Sequence, residues 1–208
     1  MRIDLHVHTR ERSVCAHSST AQMVRAALAR DLDGFVITDH DSLIPEDRLA
    51  YLNAKYAPFR IFGGVEVTTD IEHVLVLGVR DRALARGRWE YSELHAFVKD
   101  RDGFLALAHP FRFSSQRVGI DVERWPPHAL EAFSWNTPRS AQSRIQRLAH
   151  ELGTPILSNS DAHHASEVGP FYNELEREPR DSADLVAMLN AGAFTTVAPA
   201  RVTSCRQG

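Results

Sequence analysis

Short apolar runs bounded by turn-forming or charged residues alternate with amphipathic stretches along most of the chain. Residues 2–7 read as a strand, residues 20–31 as a helix with Met23, Val24, Ala27 and Leu28 on one face, and residues 34–38 as the next strand. Residues 43–55 are predicted helical, 60–65 and 74–79 extended, and 91–99 helical with Leu94, Phe97 and Val98 on one side. Further short strands are expected at 104–108, 129–133 and 155–158, and a last one at 193–197. Helices at 141–152 and 182–191 are each followed by glycine, as a C-cap favours. Roughly seven βα units suggest either a small, irregular (β/α) barrel or an open doubly wound sheet.

The polar residues favour the barrel. His6 and His8, Asp39 and His40, Glu66, His109, and Asp161 and His163 all fall at or just beyond the C-terminal ends of predicted strands. An open sheet gathers ligands at one crevice where strand order reverses, whereas a barrel brings every strand end to one mouth. His6 and His8, two apart on a strand, share a face, as two ligands of one ion must.

Length and composition constrain the partners. With 208 residues, 43% of them hydrophobic, the chain suffices for one core, expected over residues 1–200, with 201–208 as a C-terminal tail. A net charge of −3 provides no basic field for long nucleic acid or an anionic membrane, so an anionic substrate must be held locally. No stretch is long and apolar enough for a membrane span, and Asp4, His6 and His8 interrupt any signal-peptide core. Only Cys15 and Cys205 are present, which fits a reducing, cytoplasmic setting.

Imidazole nitrogens suit Zn, Mn or Fe, and a carboxylate such as Glu66 can bridge two ions that would otherwise repel. Arg112, three residues past His109 in a His-Pro-Phe-Arg run, is placed for a bidentate contact to phosphate, with Asn136 and Arg139 as further substrate contacts. His95, His128 and His150, in or beside helical segments, read as surface or packing residues.

His6-Val7-His8, Thr38-Asp39-His40-Asp41, Gly64-Val65-Glu66, Ala108-His109-Pro110 and Ser160-Asp161-Ala162-His163 resemble the successive motifs of the PHP (polymerase and histidinol phosphatase) superfamily, over roughly residues 2–197. The resemblance implies an α/β fold, a distorted (β/α)7 barrel, whose strand ends hold two or three divalent metal ions that hydrolyse phosphate esters. By motif match, His6, His8, Glu66 and Asp161 would bind the first ion, Glu66, His73 and His109 the second, and His40 and His163 the third. The chain departs from the pattern at the third ion's remaining ligand, where Ser13-Val14-Cys15-Ala16-His17 offers Cys15, His17 or neither. Glu66, Asp161, His40 and Arg112 are the residues expected to carry catalysis. The segment between Gly78 and Gly103 leaves little room for a capping domain, which disfavours nucleotide phosphatases with a large insertion without excluding small nucleotides; a small phosphorylated substrate, a nucleotide or a short oligonucleotide is the expected partner. Two other readings compete: an amidohydrolase acting on a C–N bond, which would usually want a lysine bridge, and a non-catalytic PHP binding module.

Overall fold

The computed structural model describes residues 1–113 and 118–199. Its nine strands form one sheet: β1 (Arg2–Val7), β2 (Gly34–Ile37), β3 (Arg60–Thr68), β4 (His73–Leu77), β5 (Phe104–Leu107), β6 (Ala129–Phe133), β7 (Ile156–Ser158), β8 (Tyr172–Leu175) and β9 (Phe194–Val197). The order across the sheet is β7-β6-β5-β4-β3-β2-β1-β8-β9. Five α-helices accompany it: α1 (Thr20–Leu28), α2 (Glu46–Tyr56), α3 (Tyr91–Lys99), α4 (Gln142–Leu152) and α5 (Ser182–Asn190).

The sheet curls until its ends nearly meet. Beyond β7, Ala162 pairs with Val7, and its carbonyl accepts from His8 N at 3.0 Å. Lower down, the Asn173 side chain on β8 bridges to β7, accepting from Ser158 N at 3.1 Å and donating to Ser158 O at 2.9 Å. Asn173 is fully buried and also donates to Asn159 Oδ1 at 2.8 Å, so Asn173→Ala leaves several buried polar groups unpaired. We expect a loss of about 3 kcal/mol, read by thermal unfolding as a fall in Tm of roughly 6–12 °C. An unchanged Tm would show that these contacts do not hold the barrel shut.

The expected distorted barrel is therefore present, but not as seven uniform βα repeats. β3 reaches β4 through residues 69–72, too short for a crossover, so the two strands pair antiparallel. β8 pairs antiparallel with β1 and with β9. The helix expected from residue 43 starts only at Glu46, because Pro45 forces Ile44 out of helical geometry and itself takes the cap position. Elsewhere local signals match: Ser19 and Gln22 form a reciprocal capping box at the start of α1, and α4 ends on left-handed Gly153 at φ 66°.

Alternation along the strands positions the site. Phe62 and Glu66 share one face of β3, His73, Leu75 and Leu77 one face of β4, and Ala129 and Glu131 one face of β6. The apolar members of this set pack with Phe104, Ala106 and Leu157 and are plugged by Leu185, Met188 and Leu189 of α5. The opposite faces, including Val65, Val74, Val76, Leu105 and Leu107, pack with Leu94 and Val98 of α3 and Ile145 of α4. The interior is thus an apolar floor beneath a polar upper layer, and that layer faces the mouth.

Candidate metal centre

Eight sequence-predicted residues meet at this mouth. Their elements bring them there by different routes. His6 lies on β1 and His8 just past it, while Glu66 lies on β3. His73 opens β4, and because β4 is antiparallel to β3 its first residue stands beside the last residues of β3. His40 bridges to Glu66 beyond β2. His109 and Asp161 follow β5 and β7 with left-handed backbones, φ 31° and 53°, which turn their side chains off the strand line and into the centre. Such conformations carry a small cost and collect at functional sites.

The innermost group is His6, His8, Glu66 and Asp161, all buried. His6 Nε2 lies 3.0 Å from His8 Nε2, 3.1 Å from Glu66 Oε2 and 3.2 Å from Asp161 Oδ1. His8 Nε2 lies 3.0 Å from the same Glu66 oxygen and 3.1 Å from the same Asp161 oxygen. Ligands about 2.0–2.2 Å from a tetrahedral ion stand about 3.3–3.6 Å apart, so the spacing is within a few tenths of an ångström of a metal site. A second group joins His40, Glu66 and His73, and a third joins His8, His40 and His163. Glu66 Oε2 is 3.2 Å from His40 Nδ1, while Glu66 Oε1 is 3.0 Å from His73 Nδ1 and 3.1 Å from His109 Nε2.

Partners behind these groups set the direction of their lone pairs. His6 Nδ1 meets Glu131 Oε1 at 3.0 Å, and His8 Nδ1 meets Ser13 Oγ at 3.3 Å. Ser13 Oγ in turn donates to Asp39 Oδ1 at 2.9 Å. With both Nδ1–H bonds taken up, both Nε2 lone pairs point into the cluster, the arrangement usual for metal-bound imidazole. Asp39 itself accepts from Thr9 N, Thr9 Oγ1 and Arg12 Nε at 2.6, 2.7 and 3.0 Å, which makes it the anchor of the loop after β1.

The electrostatics call for a cation. Burial works against charge on every group here, yet the carboxylates of Asp161, Glu66 and Glu131 outweigh it and raise His6 well above the usual imidazole range. For His8 the neighbouring carboxylates of Asp161 and Glu66 overcome burial and raise it to about 9. The imidazoles in turn overcome burial and hold Glu66 and Asp161 below the ordinary carboxylate range. Two protonated Nε2–H groups cannot face each other at 3.0 Å, whereas one divalent ion satisfies both imidazoles and both carboxylates. Glu66 Oε2 is consistent with this, being buried without a well-formed hydrogen bond although three imidazole nitrogens surround it. Burial lowers His40 to about 4 and lowers His163, so both rings are neutral and offer lone pairs near neutral pH.

The remaining expected residues divide. Asn136 Nδ2 donates to Asp161 Oδ2 at 2.7 Å, and Arg112 Nη1 stands 3.3 Å from His109 Nε2 and 3.8 Å from Asp161 Oδ2. Arg139 is exposed in the turn before α4 and makes no contact with the cluster. Cys15 is an exposed free thiol and His17 stacks on His164 with ring centroids 4.3 Å apart, so neither joins the ligand groups found among the described residues. His95 and His128 bond to backbone atoms, as packing residues do. Residues 201–208, with Cys205, lie outside the described residues.

Glu131 is the residue that sequence reasoning missed. It is fully buried and also accepts from His109 N at 3.0 Å and Asn159 Nδ2 at 2.8 Å, linking β1, β5 and β7 behind the cluster. Its signal was a lone acid at an inward position of Ala129–Phe133. Glu131→Gln is expected to weaken metal binding by roughly 10–100-fold by loosening the His6 tautomer, as metal titration would read. Unaltered affinity would reduce Glu131 to a packing residue.

Residues 139–194 match a family model described as PHP-associated. No curated protein matches the chain. Among solved structures, PsfC from Pseudomonas syringae superposes with a TM-score of 0.70 at 21% identity, covering 96% of this chain and 92% of that one. A two-domain protein from Bacteroides vulgatus, with a predicted PHP-like metal-dependent phosphoesterase, gives 0.70 at 14% identity over 95% of this chain and 64% of its own. Endonuclease Q, solved with duplex DNA bearing an abasic lesion at its active site, gives 0.65 at 16% identity over 93% and 57%. The chain thus spans less than two thirds of these last two proteins. Its fold is similar to that of the protein with the predicted PHP-like metal-dependent phosphoesterase, and the match to the PHP-associated family model is confined to residues 139–194.

Proposed function

We propose that the protein is a metal-dependent phosphoesterase that hydrolyses a small phosphate ester, a nucleotide or short oligonucleotide among the substrates in range. The observation that carries this reading is the division of Glu66: Oε2 faces His6, His8 and His40, while Oε1 faces His73 and His109. One buried carboxylate so placed serves two ions. His6, His8, Glu66 and Asp161 would hold one, Glu66, His73 and His109 a second, and His40 and His163 a third. Zn, Mn and Fe all suit these donors. Bound divalent ions would supply a hydroxide near neutral pH and neutralise charge on the phosphoryl group.

The protein's own groups supply the rest. Asn136 occupies Asp161 Oδ2 and so leaves Oδ1 directed at His6 and His8. Neutral His40 offers its Nδ1 lone pair to the cluster edge, where protonation would remove it. Arg112, with its side chain 35% exposed, presents a fixed fork of donors at the mouth and is the local positive charge that an acidic chain needs to hold a phosphate. A lysine bridge is excluded from the cluster, since Lys55 and Lys99, the chain's two lysines, lie on α2 and α3. The scarcity of cysteine supports a reducing, cytoplasmic setting.

The test is phosphate release from histidinol phosphate, mononucleotides, nucleoside 3′,5′-bisphosphates, short oligonucleotides and an aryl phosphate, with Mn, Zn or Fe added. Release is expected from at least one member and is expected to vanish on chelation. Silence from metal-loaded protein, or release that survives chelation, would overturn the reading.

A further inference from the structure

Val14, Leu28, Tyr51, Ile71 and Phe113 are the exposed large hydrophobic residues among those described. Leu28 and Tyr51 lie on α1 and α2. Val14, Ile71 and Phe113 sit instead in the segments that leave β1, β3 and β5. Those three strands run in the same direction, since β1, β2 and β3 are parallel and β4 is antiparallel to both β3 and β5. Their following loops therefore rim the mouth above the cluster. Single exposed apolar residues are ordinary, but three of them around one charged site are not explained by the phosphate chemistry alone.

Phe113 is the closest of the three to that chemistry. Its ring is 5.1 Å from His73 and 6.0 Å from His109, edge-on at 62° and 85° respectively, and 53% of the residue remains exposed. The guanidinium of the preceding Arg112 lies 5.5 Å from the Phe113 ring centre. A phosphate held between Arg112 and the cluster would thus have its alcohol part beside an aromatic surface.

From this juxtaposition, and resting on the phosphoesterase reading above, we infer that Phe113 is a specificity-determining residue that packs against a flat ring of the substrate. The preferred ester is one whose phosphate is carried on an aryl or heterocyclic group. Stacking of this kind corresponds to roughly 5- to 150-fold in affinity per ring.

The test uses the metal-loaded full chain and titrates phenylphosphonate against methylphosphonate by calorimetry, with hydrolysis of phenyl phosphate and glycerol phosphate measured in parallel. The expected result is a preference of about tenfold or more for the phenyl compound. That ratio should collapse toward one in Phe113→Ala and survive in Phe113→Tyr. Equal binding of both phosphonates to the unaltered protein, or no binding of either, would overturn the inference. So would an equal weakening of both in Phe113→Ala, which would make Phe113 a cover over His73 and His109. Preferred phenylphosphonate binding with silence across the whole panel of phosphate esters would keep ring recognition and overturn the phosphoesterase reading instead.

Discussion

Asp161→Asn is expected to abolish phosphate release and empty the innermost ion site while leaving the barrel folded. The carboxylate is 1% exposed, and its Oδ1 lies against both His6 and His8. Asn keeps the shape, and it tolerates the left-handed backbone at φ 53° as well as Asp does, so no new backbone strain is introduced. Its amide oxygen can still accept the bond that Asn136 donates. What is lost is one of the two buried negative charges that oppose the ion, while an N–H donor is turned toward imidazole lone pairs. The loss should exceed the roughly 10–100-fold cost of removing a residue that only supports a metal ligand. Metal content by mass spectrometry, phosphate release and the circular dichroism spectrum would be measured on one preparation. Full turnover with bound metal would sink the cluster model, and an unfolded spectrum would mean that Asp161 acts on the fold.

Much of the site was legible because its residues interrupt apolar runs at strand ends. His6 and His8 stand out against Ile3, Leu5 and Val7, and Glu66 against Val65 and Val67. Strand β8 was not legible for the converse reason. Of its two buried inward residues, Asn173 and Leu175, the first is polar, so Tyr172–Leu175 lacks the apolar alternation that marks a strand. The nature of that residue follows from its job: it bonds Ser158 and Asn159 across the closing edge of the barrel, where an apolar side chain would leave their polar groups unpaired. Glu131 was hidden in the same way, an acid within a short strand whose partners, His6 and Asn159, are 125 and 28 residues away in sequence. Its role depends on which chain segments meet, and no local pattern reports that. The antiparallel β3–β4 hairpin was hidden as well: the expected strands, 60–65 and 74–79, left a longer gap, and the polar ends Glu66–Thr68 and His73 that shorten the connection to residues 69–72 lack the apolar signal of a strand.

Glu66→Gln should be more damaging still to ion content, and it distinguishes a bridged cluster from independent sites. The two oxygens of Glu66 serve different partners, His6, His8 and His40 on one side and His73 and His109 on the other. Gln offers one acceptor oxygen and one N–H2 group, so whichever way it turns, one set of imidazoles meets a donor in place of a negatively charged ligand. The charge that draws the ions together is also gone. Both Glu66-containing sets should therefore lose their ions at once, with phosphate release falling to background. His163→Ala is the matched control, because His163 belongs to the set with His8 and His40 and not to the sets built on Glu66. It should lower the metal-to-protein ratio by at most one ion and leave the Glu66-bridged pair in place. Equal metal loss in the two variants would mean that the ions bind as a single cooperative unit. Loss of only one ion in Glu66→Gln would show that Glu66 is a ligand of one site and no bridge.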